Sequence, residues 1–219
     1  MKILKIHTRR RSLYAIAFDE LIENEEAKLD ESGYLLIDRT AFDETGYAVG
    51  RELCDDELCE LIFRSAYYRA RERAFYHLSR RDFAKKEMAD KLRREFGDSA
   101  AKAAAERMVE LGLINDESYA KRYAEIMLNI KQWSPSRAVR ELVTRGIDRD
   151  FAKSAVDAVN RDPKDMIRQL IDKKYAQKLA TGGLKAAASV SNSLARKGYL
   201  FSDIRAVIGE YLNENELYD

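Results

Sequence analysis

The chain has 219 residues, of which 46% are apolar, 35% charged and only two proline, and its formal net charge is +1. That mixture fits many solvated helices and argues against a β-sandwich or barrel. A near-zero net charge excludes a global basic field that would draw the molecule to nucleic acid, and no apolar run approaches the roughly 18 residues of a membrane span.

Charge is nevertheless uneven along the chain. Residues 1–60 hold 8 Lys/Arg against 15 Asp/Glu, a net of −7, which leaves +8 for residues 61–219, so a domain boundary is expected near residue 60. At the N-terminus, KILKI and SLYAIAFD alternate in polarity and predict strands. The acidic stretch DELIENEEAKLDE (19–31) is expected to form a mobile hairpin tip. YLLID (34–38) predicts another short strand, followed by a helical turn from Asp38 or Arg39 to the DETG turn at 43–46. MKILKIHTRRR lacks the apolar stretch of a secretion signal. Cys54 and Cys59 have no second cysteine pair, and the only histidines, His7 and His77, are distant in sequence. Two reduced, partly buried thiols of a cytosolic protein are expected, not a disulfide or a metal site.

From about Asp55 the apolar period becomes helical. Ser134–Pro135 and Asp162–Pro163 each read as N-cap plus first helical residue, with Asp148 and Ser202 as further N-caps. Gly97, Gly112, Gly146 and Gly198 fall where helices should stop. The helices predicted between these marks are a short one at 55–64, then 66–78, 82–95, 99–111, 116–131, 135–145, 149–160, 163–180, 184–197 and 203–213. ADKLRREFGDSAAKAAAERMV, VRELVTRGIDRDFAKSAVDAV and SNSLARKGYLFSDIRAVIGEYL share one outline: Leu, basic residues, Gly, a capping residue and an amphipathic helix. Their glycines Gly97, Gly146 and Gly198 are 49 and 52 residues apart, which predicts three diverged three-helix repeats. A unit of about fifty residues is marginal alone, so stacking into an elongated array is expected. The predicted organisation is a β-rich extension at 1–54, a linker helix and repeat 1 at 55–114, repeat 2 at 115–162, and repeat 3 with an acidic tail at 163–219.

The helix–Gly–helix outline resembles a DNA-reading helix-turn-helix, with Leu142, Gly146, Ala152 and Ala155 at close to the spacing of its core. A reading helix needs Arg, Lys, Asn or Gln facing base edges. In 149–160, however, Arg149 and Lys153 are offset by Asp150 and Asp157. The helix at 203–213 is acidic, with Glu214 and Glu216 after it, and would repel phosphate. The outline therefore reads mainly as a way of packing three helices. Positive charge concentrates elsewhere. Residues 61–95 carry eleven basic side chains against five acidic ones, and a second cluster comprises Lys164, Arg168, Lys173, Lys174, Lys178 and Lys185. Any one of these is ordinarily a solvated side chain, but as clusters they are candidates for an anionic partner surface. Tyr67, Tyr68, Phe75 and Tyr76 interleave with Arg69, Arg71 and Arg73 in the manner of interface anchors. Trp133 is expected to staple the start of the helix at 135. The sequence contains no P-loop, GxGxxG, HExxH or GxSxG motif, and no carboxylate pair stands apart from its neighbours. No catalytic residue, cofactor or metal site is expected.

INDESYAKRYAEIM (114–127) followed by SPSRAVRELVTRGID (134–148) resembles the RecX proteins, bacterial regulators of the RecA recombinase. Asp116, Tyr119 and Ala120 match the opening of that family's second repeat. Glu141, Leu142, Arg145, Gly146 and Ile147 match its later Glu-Leu-x-x-basic-Gly-Ile. RAFYHLSRRDFAKKEMADKLRREF (73–96) resembles the opening segment of its first repeat, departing from it at Asp82 and Phe83, which puts that repeat's N-cap in question. The resemblance implies a mainly α fold with a small β-containing N-terminal region and a cytoplasmic monomer. It also implies binding without chemistry: a partner in the RecA filament on single-stranded DNA, with recombinase and ATPase activity modulated, usually downward. No contact residue is marked by a motif. Charge and aromatic content nominate Tyr68, Arg69, Arg71, Arg73, Arg80, Arg81, Lys85, Lys86, Arg93, Arg94, Lys173, Lys174 and Lys178. A protein acting directly on DNA and a helical adaptor for another protein remain alternatives.

Overall fold

Alternating polarity at the N-terminus produces three strands, β1 (Ile3–Arg10), β2 (Leu13–Phe18) and β3 (Leu35–Asp38), in an antiparallel sheet of order β1-β2-β3. The register pairs Ile6 with Ile16 and Tyr14 with Ile37. Ile3, Ile16, Leu35 and Ile37 are buried against Leu58, Leu61 and Ile62, as expected of one inward-facing row per strand. A computed structural model describes residues 1–10 and 12–212; the acidic tail expected around Glu214 and Glu216 lies outside the described residues. The described chain divides into two compact units, Met1–Asn115 and Asp116–Asp219.

In the first unit, Asp38 caps α1 (Arg39–Asp43), its carboxylate accepting from the Thr40 and Ala41 N–H groups. The Asp38 N–H in turn donates to Ser65 Oγ at 2.8 Å, which ties the sheet to α2 (Asp55–Leu78). The two helices expected at 55–64 and 66–78 are this single helix of 24 residues. Nothing between them breaks a helix, and the buried Ser65 has a partner for its hydroxyl. The acidic stretch after β2 is not a free hairpin tip. It connects β2 to β3, packs Ile22 and Ala27 onto the sheet core, and donates from Lys28 Nζ to the Glu95 carbonyl at 2.6 Å. Cys54 and Cys59 are free and both exposed, not partly buried as expected, because they lie on the outer side of the first turns of α2.

α2 packs with α3 (Lys85–Phe96) and α4 (Asp98–Glu110) around Ala70, Ala74, Met88, Leu92, Ala101, Ala104 and Met108. Helix α3 starts at Lys85 with no side-chain cap and follows Phe83, which is buried. The predicted start at 82 is displaced because Phe83 enters the core ahead of the helix.

In the second unit, α5 (Asp116–Glu125) passes into a single π-turn, Ile126–Ile130, closed by the Lys131 N–H bond to the Ile126 carbonyl at 3.0 Å. Helices α6 (Pro135–Thr144) and α7 (Arg149–Asp157) complete this trio, capped by Ser134 and Asp148 as their sequence predicts. Leu142, Ala152 and Ala155 are buried within it, so the helix-turn-helix spacing is a core spacing. The last trio is α8 (Pro163–Lys174), α9 (Ala176–Arg196) and α10 (Phe201–Tyr211). The helix expected at 163–180 instead breaks at Tyr175, where φ is −129°. The apolar stripe gives no warning, since Ile171 and Leu179 stay buried on either side. Within α9, Gly183 adopts φ 51° and ψ −148°, a region open essentially to glycine alone, and splits the helix where the sequence predicts its start. Ser202 is not an N-cap: α10 begins at Phe201 after Leu200.

Candidate functional site

The basic residues nominated on α2 and α3 are mostly engaged locally. Arg81 forms a two-pronged bond with Glu87, at 2.8 and 3.3 Å. Lys85 pairs with Glu106, Lys86 with Asp90 at 3.4 Å, Arg73 with Glu95 at 3.4 Å, and Arg93 with Asp90 at 2.9 Å. Such exposed pairs stabilise little, but each carboxylate offsets positive charge that would otherwise face a partner. Other cations lie over rings: Arg71 over Tyr68, Arg80 over Tyr76 and Arg69 over Phe96, at 4.7, 5.0 and 5.6 Å from the centroids. Tyr68 donates its hydroxyl hydrogen to Glu44 at 2.6 Å. Among the nominated aromatics, Phe75 and Tyr76 are exposed. Arg69, Arg93 and Arg94 also line a cleft of about 320 Å³ with Lys28, but Glu25, Glu26 and Glu95 line it too, so it singles out no anion. Among the described residues, no group of His, Cys, Asp or Glu could hold a metal ion.

The residues matched at 116–147 build a closed polar cluster. Arg145 bonds Glu141 Oε1 through Nε and Nη2, at 3.2 and 2.9 Å, and donates to the Tyr119 hydroxyl at 2.9 Å. Its guanidinium also lies 4.5 Å from the centroid of Tyr123, whose ring stacks on Tyr119 at 4.9 Å. Burial opposes the charge on Arg145, but Glu141 and the two tyrosines outweigh it and hold the group above its usual pKa. This cluster joins α5 to α6; its chemistry serves packing.

A different arrangement lies where the two trios of the second unit meet. Loop 131–134 is bonded to loop 196–199 by Ser134 N–H to the Lys197 carbonyl at 3.0 Å and Ser134 Oγ to the Gly198 carbonyl at 2.7 Å. Lys197 Nζ donates to the Lys131 carbonyl at 2.8 Å, and Arg137 donates to the Arg196 carbonyl. Gly198 has φ +93°, and a Cβ there would lie 2.6 Å from Arg137 Cβ and 2.7 Å from Ser134 Oγ, so the approach demands glycine. The ring of Trp133, at the position before the Ser134 cap, carries Arg137 at 4.1 Å and Lys131 at 4.5 Å.

Comparison with known proteins gives one result throughout. A family model described as "RecX, second three-helix domain" matches residues 115–156. "Regulatory protein RecX" of Clostridioides difficile is 25% identical over 171 residues, 78% of this chain and 80% of its own length. The protein of that name from Caldanaerobacter subterraneus is 27% identical over 80% of this chain and 84% of its own. The chain is similar to RecX proteins along about four-fifths of its length. In fold it is similar to a crystal structure of regulatory protein RecX, with a TM-score of 0.58, 17% identity and coverage of 94% and 98% of the two chains. It is also similar to RecX from Lactobacillus salivarius, with a TM-score of 0.54, 24% identity and coverage of 67% and 96%.

The matched RecX domain thus contains the Tyr119–Glu141–Arg145 cluster, while the nominated cations sit outside it. Lys173 and Lys174 are exposed without a carboxylate partner among the described residues, and Lys178 donates to Ser189 Oγ at 2.8 Å. Sequence reasoning passed over Lys131, Arg137, Arg196 and Lys197 because they are dispersed in the chain. The available signal was the pair of basic residues flanking each turn, Lys131 beside Trp133 and Arg196–Lys197 beside Gly198.

Proposed function

We propose that this chain is a regulatory protein that binds the RecA filament on single-stranded DNA and restrains its recombinase and ATPase activity without chemistry of its own. Similarity to proteins named "Regulatory protein RecX", over about four-fifths of this chain and of theirs, is the observation that carries this reading. A ligand with higher affinity for one filament state biases the assembly by population shift, which needs a binding surface and no reactive group. The basic residues of α2, α3 and the turn between them, Arg69, Arg71, Arg73, Arg80, Arg81, Lys85, Lys86, Arg93 and Arg94, together with Tyr68 and with Lys173, Lys174 and Lys178, supply the long-range attraction to a polyanionic filament. Pairing with neighbouring carboxylates leaves them a modest field and keeps affinity for bare DNA low. The protein acts as a monomer in the cytoplasm.

The test is binding of the full chain to bare single-stranded DNA, to free recombinase and to the assembled filament across a salt series, with filament ATPase followed in parallel. Marked preference for the filament with a fall in ATP turnover is expected. Equal affinity for bare DNA with a steep salt slope would replace this reading with direct DNA binding.

A further inference from the structure

Exposed aliphatic and aromatic side chains bracket the bonded loops of the second unit. Ile130 is 74% exposed, Phe201 64% and Leu200 61%, more than any other large apolar residue described in that unit. Ile130 ends the π-turn, and Gln132, two residues on, holds φ 52°, an unfavourable conformation for a non-glycine residue that persists only where its surroundings impose it. π-turns are frequent at functional sites.

The cations here differ from those of α2 and α3. Among the described residues, Lys131, Arg137, Lys174, Arg196 and Lys197 form no ion pair; carbonyls, Ser193 Oγ and the rings of Trp133 and Tyr123 are what their side chains meet. Lys197 is held below the usual lysine pKa by burial and then by repulsion from Lys174 and Arg137. Positive charges collected without counter-charge are destabilising by themselves, and an anionic partner relieves them.

We propose that loops 130–137 and 196–201 form a docking surface for an acidic protein surface with an apolar recess, the recess receiving Phe201 and Leu200 and the acidic rim meeting Lys174 and Arg196. The protein component of the filament is the occupant, so the inference rests on the function proposed above and names the surface that performs it. A protein fits better than a nucleic acid strand for two reasons. Aliphatic Ile130 and Leu200 offer no stacking platform for bases. Trp133 is already engaged by two cations, with which a stacked base would compete. Apolar anchors within a charged rim are the usual anatomy of protein interfaces.

The experiment measures binding of the full chain and two double variants to preassembled RecA filament and to bare single-stranded DNA, with circular dichroism and thermal melting on each. Leu200→Ser with Phe201→Ala removes the apolar anchors while leaving a good capping residue before α10. Lys174→Glu with Arg196→Glu reverses exposed charges whose loss breaks no bond between the loops. Each double variant is expected to weaken filament binding at least tenfold with unchanged helix content. Unaltered filament affinity in both, with wild-type binding intact, overturns this surface and leaves the proposed function standing. Parallel loss of bare-DNA affinity in the charge variant, with no effect of the apolar variant, overturns the protein occupant in favour of a nucleic acid one. Absence of wild-type filament binding overturns the proposed function and this inference together.

Discussion

Two basic regions of the molecule use the same residue types to different ends. On α2 and α3 the cations alternate with carboxylates one turn away, so Lys86 meets Asp90 and Arg93 meets Asp90 within the same helix. At the loop junction of the second unit the cations converge from separate turns, Lys131 and Arg137 from one and Arg196 and Lys197 from the other, and their partners are backbone carbonyls, a serine hydroxyl and two rings. Charge density in sequence is therefore a poor guide to charge presented in space. A dense helical run neutralises itself through neighbours at i+3 and i+4, whereas sparse cations brought together by folding do not.

The first way to break the comparison is to remove the junction itself. Gly198→Ala forces a side chain onto Arg137 and Ser134 at a positive φ and should cost about 2–3 kcal/mol, read as a lower urea midpoint. A change within error would mean that the loops are not held as described. Next comes Arg145→Ala. It leaves Glu141 and the Tyr119 hydroxyl without their guanidinium partner and should cost about 1–2 kcal/mol, since the group is partly exposed and screened. Tyr119→Phe, which removes the hydroxyl that Arg145 reaches and leaves the guanidinium in place, should cost less than half of that; equal losses would show that the cluster acts as a single unit.

Reversing Arg80, Arg81, Lys85 and Lys86 to glutamate sharpens the contrast between the regions. It should slow association with the filament by about tenfold or less and leave dissociation nearly unchanged, as expected for charges at the rim of a contact. Stopped-flow binding at two salt concentrations separates the two rates. The smallest effect concerns His77, held below the ordinary histidine value of 6.5 by burial first and then by Lys91, Arg73 and Arg81, against which Glu95 acts. A depressed folded pKa means that the unfolded chain binds more protons, so the contribution to stability is full above about pH 6.5 and is lost as the pH falls. His77→Gln should flatten the fall in stability as the pH drops below about 6.5; an unchanged slope would assign that pH dependence elsewhere.

Much of the fold was legible because punctuation and period agreed. Ser134–Pro135, Asp148 and Asp162–Pro163 cap the helices that they announce, and the alternating strands pair as a simple meander. The failures share a cause: tertiary contacts override local pattern. Phe83 enters the core before its helix begins, Ser65 is buried inside α2 instead of ending it, and the chain leaves helical geometry at Tyr175 without interrupting the apolar stripe. The candidate surface was less legible than the fold. Lys174 was nominated from its cluster, but Lys131, Arg137 and Arg196 become neighbours only through bonds spanning about sixty residues. Gly198 reads in sequence as a helix stop, while its requirement for contact with Arg137 is visible only in three dimensions.

The most direct test of the distinction between the two regions is the dissociation rate of the full chain from the assembled filament, compared between the Leu200→Ser/Phe201→Ala variant and the fourfold charge reversal in the α2–α3 turn and the start of α3. A contact centred on the second unit's loop junction predicts faster release of the first variant and near wild-type release of the second. Fast release confined to the α2–α3 variant would contradict it and place the contact on the first unit.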